Sequence, residues 1–134
     1  MEGEDLERAV GLLGPLEGRI MRLVWTGAIG EPSAPFTVRD MQALLPGLAY
    51  TTVMTTLRRL ADKGLLVAEA TVGRRAYSYR AAGEPGRFLA EASAKETRAF
   101  VDRYGEAALA AFAVHLDSLT PAQRQRLEEL AKRQ

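Results

Sequence analysis

Three observations predict a mainly α fold of the α+β class for this chain of 134 residues. Apolar residues recur at helical spacing through most of the chain. One stretch, residues 65–80, reads instead as two β-prone runs about a turn. Past Gly83-Glu84-Pro85-Gly86 the pattern returns to short helices with apolar stripes to the end. The expected order is a short N-terminal extension, a compact helical unit carrying one hairpin, and a helical C-terminal region.

Composition bounds the function. Apolar residues make up 47% of the chain, enough for a core. With no cysteine, a disulfide framework, thiolate catalysis and a Cys-ligated metal site are excluded. Glu2, Glu4, Asp5 and Glu7 crowd the start, unlike a secretory signal, and no apolar run reaches membrane-spanning length. A cytoplasmic protein without membrane insertion is expected. His115 beside Asp117 is the single histidine, too few ligands for a metal site, and no cofactor is expected.

In chain order, residues 1–13 can hold a short helix on Leu6, Val10 and Leu13, weakened by Gly11. Pro15 suits the first position of a helix carrying Leu16, Ile20, Leu23 and Val24 and ending at Trp25, which reads as a core anchor. Residues 27–35, with two Gly and two Pro, read as a loop. Phe36 and Thr37 are expected to open the next helix, Thr37 as N-cap, with Val38, Met41, Leu44 and Leu45 inward. Leu45-Pro46-Gly47-Leu48 turns the chain before a second helix over residues 49–63.

That second helix carries the functional signal. At about 100° per residue, Val53, Met54, Leu57, Leu60 and Ala61 share one face. Thr51, Thr52, Thr55, Thr56, Arg58 and Arg59 lie on the other, and Gly64 follows as the stop. β-Branched threonines are poor helix formers. A face serving only helix stability would use Glu, Lys or Ala. Short hydroxyl and methyl groups suit close approach to a groove floor, where Thr can meet base edges or the thymine methyl. Charge agrees: residues 1–36 sum to −3, residues 37–80 to +4 and the remainder to zero.

Beyond Gly64, residues 65–71 are β-prone, Val72-Gly73-Arg74 turns, and residues 75–80 alternate about Tyr77 and Tyr79, expected to pack together on the helices. Arg74 and Arg75 fall at the tip or just past it, where a phosphate-touching wing needs cations. Helix, helix, helix and hairpin make a winged helix-turn-helix.

The C-terminal third carries Phe88, Leu89, Ala92, Ala99, Phe100 and Tyr104 along a helix expected to be interrupted near residues 93–97. Gly105 ends it. Ala108, Leu109, Phe112, Ala113 and Leu116 form another stripe. Thr120-Pro121-Ala122-Gln123 opens a last helix with a capping box, bearing Leu127 and Leu130. Such helices bury themselves poorly alone, and a second copy is the economical partner. A twofold homodimer would set two reading helices about 34 Å apart, or a multiple of it. Folding back onto the same chain's core is the alternative.

Leu13-Gly14-Pro15-Leu16-Glu17 through Ile20-Met21 to Trp25, then Ala49-Tyr50-Thr51-Thr52-Val53-Met54-Thr55-Thr56-Leu57-Arg58-Arg59-Leu60 and Lys63-Gly64-Leu65, resemble the BlaI/MecI-type penicillinase repressor family. The resemblance spans residues 13–82 with specific motifs and 83–134 more loosely. It implies a winged helix-turn-helix repressor acting as a homodimer on a palindromic operator, with Thr51, Thr52 and Thr55 presented to the bases. Some relatives carry Lys at the position of Thr51, and the usual N-cap serine is Ala49 here. Penicillinase repressors are inactivated by proteolysis at an Asn-Phe bond, downstream of a membrane sensor. The corresponding bond here is Ala111-Phe112, so the asparagine is missing. Copper-responsive relatives use C-terminal cysteines, which this chain lacks.

The boundaries expected are an N-terminal extension over 1–12, a DNA-binding domain over 13–82 and a helical dimerisation region over 83–134. Thr51, Thr52 and Thr55 are expected to read bases; Arg58, Arg59, Arg74 and Arg75 to meet phosphate; Thr37, Arg39 and Gln42 to touch the backbone from the supporting helix. Phe88, Leu89, Phe100, Tyr104, Leu109, Phe112, Leu116, Leu127 and Leu130 are the dimerisation candidates. A sensor-linked protease is a further expected partner. No nucleophile–base pair, paired carboxylates or phosphate-cradling glycine loop argues for an enzyme. Two other readings compete: a winged helix serving only protein interaction, and a repressor with an aromatic-lined ligand pocket, for which 7% aromatic content offers little material.

Overall fold

The computed structural model describes residues 2–31, 34–70 and 77–133. The chain divides into two compact units, Met1–Ala92 and Ser93–Gln134.

The first unit holds α1 (Glu2–Gly11), α2 (Pro15–Trp25), β1 (Phe36–Thr37), α3 (Val38–Ala43), α4 (Tyr50–Asp62), β2 (Leu66–Ala70), β3 (Tyr77–Ala81) and the start of α5 (Pro85–Tyr104). The three strands form an antiparallel sheet in the order β1-β3-β2. Its register pairs Phe36 with Tyr79 and Leu66 with Ala81. This is the winged helix-turn-helix arrangement: three helices, α2 to α4, with a hairpin behind them.

The core follows from the helical periodicity. Ile20, Met21 and Val24 of α2, Met41 of α3, and Val53, Leu57 and Leu60 of α4 are wholly buried together with Leu45. Each such side chain contributes roughly 1.5–3 kcal/mol on burial. Leu65, Leu66, Tyr79 and Ala81 close the core from the sheet side. Trp25 packs on its edge, donating its indole Nε1–H to the Gly83 carbonyl at 2.9 Å, with the Phe88 ring tilted against it at 6.4 Å. α1 lies along α2: Ala9 is buried, and a Cβ at Gly18 would come within 3.2 Å of Val10 Cγ1, so glycine permits the approach. Arg22 clamps Glu7 through both nitrogens, at 2.6 and 3.0 Å.

The helix ends follow the sequence rules. Pro15 opens α2. Thr37 caps α3, accepting from Asp40 N while Asp40 returns its carboxylate to Thr37 N. α4 stops in a Schellman motif: Leu65 N donates to Leu60 O, Gly64 N to Ala61 O, and Gly64 takes φ +83°.

Four expectations are corrected. Phe36 does not open the helix, although Thr37 caps it as expected; the two residues form β1, because their partner β3 supplies hydrogen bonds that no local pattern reveals. Leu45, not Leu44, enters the core beyond α3, since Leu44 ends the helix and points outward, 39% exposed. Tyr77 and Tyr79 share a face, yet only Tyr79 is buried; Tyr77, at the outer end of β3, is 51% exposed. Finally, α5 runs unbroken from Pro85 to Tyr104. Residues 93–97 are exposed and mostly polar but include neither Gly nor Pro, so nothing interrupts the backbone ladder.

The second unit comprises the rest of α5, α6 (Glu106–Asp117) and α7 (Pro121–Lys132). Gly105, at φ +59°, makes the α5–α6 joint. Thr120 and Gln123 form the expected capping box on α7. The Phe100 ring meets Tyr104 at a tilt and Phe112 edge-on, with centroids at 5.2 and 5.5 Å. Ala108 is the one side chain of α6 that is fully buried.

Candidate nucleic-acid interface

α4 presents the site. Its inner face is set by Val53, Leu57 and Leu60, which forces Thr51, Thr52, Thr55, Arg58 and Arg59 outward, and all five are exposed. Arg58 borders a depression that it shares with Tyr77 and Tyr79. Thr56 departs from the polar face expected of it. It is 6% exposed, and its Oγ1 donates to the Thr52 carbonyl at 2.8 Å. That back-bond satisfies the hydroxyl inside the helix and takes Thr56 out of any reading role. Three threonines remain on the surface, at i, i+1 and i+4.

An open groove of about 510 Å³ runs between these threonines and the start of α2. Gly14 and Pro15 form one wall, and Thr52, Thr55 and Arg59 the other. Gly14, the N-cap of α2, offers no side-chain acceptor to the first-turn amides. Glu17 also lines the groove, but its charge is committed: Oε1 accepts from Lys63 Nζ at 2.9 Å. A second depression, of about 330 Å³, separates Arg58 and Asp62 of α4 from Tyr77 and Tyr79 of β3. There, burial pushes the Tyr79 phenol above its ordinary range, and the neighbouring Arg58 charge offsets part of that rise.

The ion pairs divide the basic residues of this region. Lys63 is paired to Glu17, and Arg80 to Glu69 at 2.7 Å. Among the described residues, Arg39, Arg58 and Arg59 have no carboxylate partner. Three arginines of the helix-turn-helix are thus left without a carboxylate among the described residues. Arg74 and Arg75 lie outside the described residues.

The supporting residues are placed as follows. Thr37 is half-buried and engaged in the α3 cap. Gln42 donates from Nε2 to the Leu48 carbonyl at 3.2 Å, bracing the turn between α3 and α4. Arg39 is exposed, and its guanidinium carbon lies over the Tyr50 ring, 5.4 Å from the centroid. Tyr50 was not singled out by the sequence reading; an aromatic residue at the first position of a threonine-rich helix is the signal that marks it. Ala49 caps α4 without a side-chain hydrogen bond.

The residues expected at a dimer interface fall in both units. Phe88 and Leu89 belong to the first, where Phe88 packs on Trp25. In the second unit, Phe100, Tyr104, Leu109, Phe112, Leu116, Leu127 and Leu130 are each at least 36% exposed. Ala111 and Phe112 both sit inside α6. No group of three or more metal-ligating side chains gathers among the described residues, and no described helix is long and apolar enough to cross a membrane.

No curated protein matches this chain. The family model described as "Penicillinase repressor" matches residues 13–133, which covers the winged helix-turn-helix and the second unit but not α1.

Proposed function

The chain belongs to the penicillinase repressor family, whose members are DNA-binding transcriptional repressors, and from that premise we propose that it acts as a homodimer on a palindromic operator. α4 enters the major groove, with Thr51, Thr52 and Thr55 on base edges. Arg58 and Arg59, together with Arg74 and Arg75 of the wing, contact phosphate, and Arg39, Thr37 and Gln42 lie along the backbone. The observation that carries this reading is the α4 surface. It presents three short hydroxyl side chains and two arginines without carboxylate partners among the described residues, whereas Arg22, Lys63 and Arg80 of the same unit are held in ion pairs.

Residues 13–82 serve as the DNA-binding domain and residues 83–134 as the dimerisation region, with 1–12 an extension. The apolar side chains left exposed on α6 and α7 support pairing with a second copy. Release from DNA follows an upstream signal. If a sensor-linked protease delivers it at Ala111-Phe112, α6 must open locally for cleavage, since a protease needs an extended segment.

Fluorescence anisotropy on a duplex from the region upstream of the protein's own gene, with a scrambled duplex alongside and a salt series for both, tests this. A preference of about a thousandfold or more is expected. Equal, salt-labile binding to every promoter tried would overturn it in favour of a winged helix that binds protein.

A further inference from the structure

One pair of side chains adjoins the base-reading face, and it joins Arg39 to a residue that has no role so far. Arg39, in the first turn of α3, and Tyr50, the first residue of α4, meet across the turn that joins the two helices. The guanidinium carbon lies 5.4 Å from the ring centroid. Both residues are exposed, Tyr50 at 36%. The carboxylate next in sequence, Asp40, is spent on the α3 cap, and no carboxylate among the described residues pairs with Arg39. Gln42 holds the intervening turn through the Leu48 carbonyl, so the two side chains face each other across a braced connection.

We infer that Tyr50 holds Arg39 as a preassembled contact for a backbone phosphate of duplex DNA, beside the base-reading threonines. This rests on the DNA-binding function proposed above. The guanidinium sits over the ring and not against a carboxylate, so its N–H groups that do not face the ring are left to donate to phosphate oxygens. An unrestrained arginine loses rotamer freedom on binding, and Tyr50 removes part of that freedom beforehand. The α4 terminus adds to the attraction: with Ala49 as N-cap, no side chain claims its first amides. Tyr50 is a positioning residue in this scheme, and Arg39 makes the contact.

The full chain and its Arg39→Ala, Tyr50→Ala, Tyr50→Phe and Arg39→Ala/Tyr50→Ala variants are titrated across a salt series. Each is run on the upstream duplex and on the scrambled one, and thermal melts confirm folding. Arg39→Ala should weaken both duplexes alike and reduce the slope of log affinity against log salt by about 0.9 for each phosphate it leaves without a cation. Tyr50→Ala should weaken binding by about two- to fivefold. Tyr50→Phe should match wild type, because the ring does the holding, and the double variant should be no weaker than Arg39→Ala. Three results overturn the inference: Tyr50→Ala binding as wild type does, Tyr50→Phe losing as much as Tyr50→Ala, or the two single losses multiplying in the double variant. A wild type that prefers neither duplex, with the variants still behaving as described, sinks the operator reading and leaves the pair standing. A discriminating wild type with indifferent variants does the reverse.

Discussion

Lys63 donates a hydrogen bond from its ammonium to Glu17 Oε1 at 2.9 Å, joining the C-terminal end of α4 to the first turn of α2. Glu17 is only 13% exposed, and its other oxygen, Oε2, is buried without a protein partner. The lysine therefore compensates a carboxylate that water reaches poorly. The groove between α2 and α4 takes its shape partly from this link.

Lys63→Met should leave that carboxylate uncompensated and lower stability by about 1–2 kcal/mol, a figure discounted because the ammonium end is half exposed. Adding Glu17→Gln should recover part of the loss. Urea denaturation of the single and double variants reads both effects. A double variant no more stable than Lys63→Met would show that the charge is not what Lys63 compensates.

The α1–α2 clamp carries an acid sensitivity. The hydrogen bonds and charge of Arg22 hold the Glu7 carboxyl below its usual range, and Glu7 in turn raises Arg22. A depressed carboxylate contributes stability above its unfolded value and loses it as pH falls through the folded one. Glu7→Gln should thus cost stability near neutrality and little at strongly acid pH, where both chains carry a neutral side chain. Melts of both proteins at several pH values check this. A difference that stays constant from neutral to acid pH would exclude the ion pair as its source.

Thr52→Ala should reduce discrimination between operator and scrambled duplex while leaving non-specific affinity nearly unchanged. The expected loss is about 1–3 kcal/mol on the specific site. Competition binding with both duplexes measures it. Because Thr52 also lends its carbonyl to Thr56, and the backbone is kept in the variant, helix stability should be little changed. An equal loss on both duplexes would remove Thr52 from base reading.

Leu109→Glu tests the proposed dimer without disturbing the described fold. Leu109 is 57% exposed, so a monomer loses little packing when it changes. A charge placed at an apolar interface should shift sedimentation equilibrium toward the monomer and weaken operator binding. An unchanged association constant would place the interface elsewhere.

Much of the site is legible in the chain itself. The outward threonines and arginines of α4 follow from spacing, because a helix buries whatever lies within one apolar arc. The Pro15 start, the Thr37 cap and the Thr120–Gln123 box are equally readable, since caps depend on residues three or four apart. Thr56 shows where this stops. It sits at the edge of the apolar arc, and its hydroxyl could be buried only because a carbonyl one turn back accepts its proton.

The sequence by itself determined the local elements, the stripe that each buries, and the charge that gathers around α4, all set by periodicity and short-range hydrogen bonding. Tertiary structure alone decided the rest. β1 is two residues long and exists because β3 lies beside it. Tyr79 is buried and Tyr77 exposed because one lies over the core and the other beyond its edge. Arg80 and Lys63 were assigned to carboxylates 11 and 46 residues away, while Arg39 was assigned to an aromatic ring. Pairings of that kind depend on which surfaces the packed core brings together, and no local pattern in the chain records them.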